Sequence, residues 1–88
     1  MLRSNVLSNA NDCITKDRTA THGKPENSFL NIAKLWSIYK DHEFTPQDVA
    51  VMMALMKIAR IKSNEKHLDN YVDGCGYLAL AAELANNT

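Results

Sequence analysis

Along the chain, apolar residues recur at spacings of three and four, in four stretches divided by polar, turn-forming segments. In the first, Leu2, Val6, Ala10 and Cys13 or Ile14 fall on one helical face, which predicts a helix over about residues 2–14. From Thr15 to Lys24 there is no apolar period, and Gly23 followed by Pro25 marks a break. Pro25 suits a first helical turn, where its missing N–H would be unpaired in any case, and Glu26 complements the positive end of the helix dipole. A second helix is predicted over 25–39, with Phe29, Ala33, Trp36 and Tyr39 or Lys40 as its stripe and Leu30, Ile32 and Leu35 flanking it.

Thr45-Pro46-Gln47-Asp48 carries the marks of a helix start: a capping hydroxyl, proline at the first position, and an acid three residues after the cap that can reach back to it. The third helix, 46–61, is apolar on nearly every side until Lys57, the pattern of a central helix surrounded by others. After a polar turn, Leu68, Val72, Cys75, Ala79 and Ala82 share one face of a fourth helix over about 66–85. Gly74 and Gly76 within it each cost up to about 1 kcal/mol relative to alanine, so a neighbouring backbone or a ligand is expected to come close there. Hairpin signals and period-two runs are missing. The fold class expected is therefore all-α, a compact antiparallel bundle of about four helices forming one domain over residues 1–88.

Composition narrows the function classes. Hydrophobic residues are 45% and charged residues 23% of the 88, the balance of a folded globular chain. Ten Lys and Arg against ten Asp and Glu leave no basic excess to hold a nucleic-acid backbone, so nucleic acid is not an expected partner, and little self-repulsion opposes association. Cys13 and Cys75 lack zinc-ligand spacing and read as small core residues of a reducing compartment. The N-terminus shows no signal-peptide pattern and no apolar run nears the roughly 20 residues of a bilayer span, which predicts a cytoplasmic protein with no membrane partner. Met52, Met53 and Met56 together with Trp36 and Tyr39 suggest more apolar surface than one short chain covers. A homo-oligomer, dimer or larger, is expected, unless the first helix folds back over that surface.

Several charged residues are candidates for chemistry. Asp69 and Asp73 lie four apart in D-N-Y-V-D, on one helical stripe at roughly 5–6 Å between Cβ atoms, continued by Tyr77. Such a pair either holds a hard cation such as Mg²⁺, whose waters can bridge to phosphate, or forms a solvated acidic first turn. Lys57 and Arg60 share a face of the otherwise apolar third helix. They are either a snorkelling pair near its C-terminal end or a phosphate clamp opposite Asp69 and Asp73, because the short turn lays the C-terminal half of the third helix beside the N-terminal half of the fourth. Glu26 and Asn27 open the second helix just after Arg18 and His22. Glu26 points either into the mouth of the bundle or to solvent as a dipole-satisfying acid. Asp48 is sufficiently explained as a capping acid.

The strings D-R-T-A-T-H-G-K-P-E-N-S-F-L-N-I-A-K-L-W-S-I-Y, T-P-Q-D-V-A-V-M-M-A-L-M-K-I-A-R and H-L-D-N-Y-V-D-G-C-G-Y occur in that order, and over roughly residues 2–85 the chain resembles a family of small phage and prophage proteins to which no activity is attached. Many relatives read Y-G where this chain has His22-Gly23. More distantly the layout is similar to all-α nucleoside triphosphate pyrophosphohydrolases of the MazG and phage dUTPase type and to a phage nucleotide-modification-associated domain. Those enzymes hold Mg²⁺ with an E-x-x-E pair on one helix and an E-x-x-D pair on a later one. Here Phe29 stands where the first pair would be completed, and the later acids are spaced D-x-x-x-D.

Two functions are expected from this. In the first, the chain is a phage-type accessory protein, in the host cytoplasm, that binds a nucleotide or other phosphorylated small molecule and acts as an Mg²⁺-dependent pyrophosphohydrolase. Asp69, Asp73 and Glu26 serve there as metal ligands and catalytic acids, with Arg18, His22, Asn27, Lys57, Arg60, Asn70 and Tyr77 around the ligand, and metal-positioned water attacks phosphorus. In the second, it is non-catalytic and sequesters a nucleotide or binds a host protein.

Overall fold

The computed structural model describes residues 1–17 and 24–86, without the side chains of residues 17 and 25. Helix α1 spans Arg3–Asp12 and continues into one wider π-helical turn, Cys13–Asp17; α2 spans Pro25–Lys40, α3 Pro46–Ser63 and α4 Leu68–Asn86. No strand occurs among the described residues, so the all-α bundle expected from the spacing is what forms.

Local chemistry fixes the ends. Thr45 and Asp48 form a reciprocal capping box: the Asp48 N–H donates to Thr45 Oγ1 at 3.1 Å and the Thr45 N–H donates to Asp48 Oδ2 at 2.9 Å, with Pro46 at the first helical position. Helix α2 stops at Asp41, which takes the left-handed conformation with φ 52°. The Ser37 hydroxyl donates to Ala33 O at 2.7 Å and accepts the Phe44 N–H at 2.9 Å, tying the connection back to the helix. Phe44 then stacks edge-on against Trp36, with ring centroids 6.1 Å apart. Tyr71 closes the next turn, its hydroxyl donating to Glu65 O at 2.8 Å.

Helices α3 and α4 form the central antiparallel pair; α2 packs on α3, and α1 packs on α4. The core lies toward one end of that pair, where Phe29 and Ala33 of α2 meet Val49 and Ala50 of α3 and Leu80 and Ala81 of α4. Gly76 is needed for the approach of α1: a Cβ there would stand 3.0 Å from Ile14 Cγ2 and 3.9 Å from the Ala10 carbonyl. The close backbone approach expected at the glycines is thus met at Gly76. At Gly74 a Cβ would meet only Lys57 Cβ at 3.8 Å, an ordinary contact.

The structure corrects four expectations. Helix α3 is not surrounded: Val49, Ala50 and Ala54 are buried, but Met52, Leu55 and Ile58 are exposed, because α2 covers its N-terminal half and α1 packs on α4 instead. The buried face of α4 is Val72, Gly76 and Leu80 with Asn70 and Ala81, not Leu68, Ala79 and Ala82, because α4 must meet α3 on one side and α1 on the other. Tyr39 is exposed together with Leu35 and Ile38, since the stripe that α2 lays on α3 ends at Trp36. Met53, grouped above with the surface methionines, packs against the core.

Candidate functional site

The pairing of α3 with α4 brings Lys57 to Asp73, Nζ to Oδ2 at 2.8 Å. The Lys57 side chain is 12% exposed and that of Asp73 is 37% exposed, so this cross-helix ion pair is anchored from the buried, cationic side. It arises because α4 runs back along α3, which lays the Lys57 stem beside Gly74. Lys57 and Asp73, both expected site residues, are thus in direct contact.

The other expected residues are spread out. Asp69 is 80% exposed and stands 4.0 Å from His67 Nε2 at the head of α4. Glu26 and Asn27 are exposed in the first turn of α2, which packs on α3. Arg60 is exposed one turn beyond Lys57. Asn70 is buried between the helices, and Tyr77 is half-buried with its ring 6.3 Å from that of Phe29. Arg18 and His22 lie outside the described residues. Among the described residues, no three His, Cys, Asp or Glu side chains come together as a metal-holding group.

Two depressions flank α4 at this level. A cleft of about 130 Å³ opens between the π-helical turn and α4, walled by Cys13, Ile14, Val72, Asp73 and Tyr77. It is smaller than the roughly 300–1,000 Å³ of pockets that engulf a drug-sized ligand. On the other side, an apolar groove of about 170 Å³ runs between α3 and α4, bordered by Ile58, Ile61, Tyr71, Cys75 and Leu78, with Lys57 and Asn70 also lining it. The ion pair divides the two, Asp73 on the cleft and Lys57 on the groove. The pattern of single helical faces did not reveal the groove. Its signal was the surplus of apolar positions on α4, where Cys75 and Leu78 stand outside the face that α1 and α3 bury.

No helix among the described residues is long and apolar enough to cross a membrane. The chain is similar to the Gene 55 protein of Mycobacterium phage L5, 41% identical over 80 residues that make up 90% of this chain and 51% of that protein. It is likewise similar to the Gene 55 protein of Mycobacterium phage D29, 38% identical over 76 residues, 86% of this chain and 50% of that protein. The chain therefore spans about half the length of these curated relatives. No solved structure matches it. The family model described as a domain of unknown function, DUF6378, matches residues 5–85, and the chain belongs to that family.

Proposed function

We propose that this chain is the ligand-holding domain of a phage accessory protein, and that it captures a phosphorylated small molecule, of the nucleotide class, without hydrolysing it. The observation that carries this reading is the asymmetry of the Lys57–Asp73 pair: the cation is nearly buried and the carboxylate is not. A cation carried on a largely buried side chain is held by an anionic partner, whereas the more exposed carboxylate regains water when released. An arriving phosphate, with more charge and more acceptor oxygens, takes the place of Asp73 on Lys57, and the exposed Arg60 one turn away supplies a second cation.

The same pair weighs against Mg²⁺-dependent hydrolysis. Asp73 Oδ2 already holds the Lys57 ammonium at 2.8 Å, so a metal on Oδ1 would set a second positive charge close to that cation. Asp69 and Glu26, the further ligands such a centre would draw on, are exposed on two different helices. No step through a metal is needed for capture.

The test is a panel of nucleoside mono-, di- and triphosphates titrated with and without Mg²⁺, followed by denaturation and analysis of the released ligand. Capture predicts one ligand returned intact per site, and affinity lowered at least tenfold by Lys57→Met with the helical content unchanged. Products in excess of the protein would overturn capture in favour of catalysis. No binding anywhere in the panel would end the nucleotide reading.

A further inference from the structure

Asn70 is buried to all but 6% of its surface, the one polar residue so placed among the described residues. Its backbone N–H donates to His67 O at 3.3 Å, but among the described residues its carboxamide has no hydrogen-bond partner. A buried amide without partners costs stability, so its retention points to a partner supplied from outside the chain. Asn70, Gly74 and Leu78 recur at steps of four along one stripe of α4, and that stripe lines the groove between α3 and α4. Gly74, one turn on from Asn70, puts no side chain into the groove, and a Cβ there would meet nothing nearer than Lys57 Cβ at 3.8 Å. Tyr71 borders the same groove, held in place by the bond from its hydroxyl to Glu65 O at 2.8 Å.

We infer that the groove takes the base of the captured nucleotide, and that the Asn70 carboxamide bonds the edge of that base. The inference rests on capture at Lys57, which lines the same groove. An amide offers a donor beside an acceptor, the pattern that the edge of a nucleobase complements, while apolar side chains take up the faces of the ring. Here Ile58, Ile61, Cys75 and Leu78 supply the apolar walls. The groove's volume of about 170 Å³ exceeds the roughly 150 Å³ of an apolar cavity that holds benzene, so one flat ring fits. An apolar segment laid on these walls would leave the carboxamide unpaired; a ring with a polar edge pairs it. Asp73, the partner that Lys57 gives up, lies three residues from Asn70 along α4, an axial rise of about 4.5 Å, so a single nucleotide reaches both Asn70 and Lys57.

Ribose 5-phosphate and the four common ribonucleoside 5′-monophosphates, titrated calorimetrically into the full chain, separate the base from the phosphate. At least one nucleotide should bind tenfold or more tightly than ribose 5-phosphate. Asn70→Leu should remove that advantage while leaving the affinity for ribose 5-phosphate unchanged and the urea midpoint no lower than in the parent. In nitrogen-15 spectra of the parent, the Asn70 side-chain amide should shift with the nucleotide and stay in place with ribose 5-phosphate. Ribose 5-phosphate binding as tightly as every nucleotide overturns the inference and leaves capture at Lys57 standing; if none of the five binds, both fall. A nucleotide advantage that survives Asn70→Leu also overturns it. If Asn70→Leu lowers the urea midpoint or unfolds the chain, the amide resonance decides: a shift specific to the nucleotide sustains the inference, and an unmoved amide overturns it.

Discussion

The two ends of the α3–α4 pair are built from similar residues and finished differently. At the core end, Phe29 and Val49 are fully buried, with Ala33, Ala50, Leu80 and Ala81 packed around them, because α2 lies across α3 there. At the turn end the π-helical turn lies along one side of α4, and on the other side Ile58, Tyr71 and Leu78 border a groove with Lys57 and Asn70 in it. The fully buried side chains are thus concentrated where α2 crosses the pair, and the polar pair and open apolar surface lie beyond it.

Substitutions at the two ends should separate these roles. The largest effect is expected from Phe29→Ala, which empties the middle of the core and should cost about 3–5 kcal/mol in urea unfolding. Removing the cap with Thr45→Ala should cost about 1 kcal/mol, as the Asp48 N–H loses the Thr45 Oγ1 that accepts it. Gly74→Ala should stabilise α4 by up to about 1 kcal/mol, since its Cβ meets Lys57 Cβ at an ordinary 3.8 Å. Gly76→Ala should forfeit that gain, because Ile14 must give way from 3.0 Å. The smallest effect is expected from Ile58→Ala at concentrations where the chain is monomeric: about 0.5 kcal/mol or less, the size typical of surface positions. A cost at Ile58 comparable with that at Phe29 would erase the distinction between the ends.

The helices were legible in the sequence because their signals are local. Pro25, Thr45-Pro46 with Asp48, and the apolar spacings each act within a few residues, and the predicted bounds of α2 and α3 agree with the structure to within two residues. Which faces would be covered was not legible. Val49 and Ile58 look alike along α3, and only the placement of α2 separates them. On α4 the choice of face turned on Gly76, whose lack of a side chain admits α1, while Leu68, Ala79 and Ala82 were left outside. The neighbourhood of Lys57 and Asp73 could be read from the length of the turn. The greater burial of the lysine could not, because it depends on how its stem lies against Gly74.

The most direct measurement is the affinity of Asp73→Asn for a nucleoside triphosphate, by isothermal titration with and without Mg²⁺ against the unaltered chain. If Lys57 is the phosphate anchor and Asp73 the anion it gives up, the variant should bind as tightly as the parent or more tightly, in either condition. If binding is lost, or survives in the parent only with Mg²⁺ and vanishes in the variant, Asp73 holds a metal and the account of capture at Lys57 is contradicted.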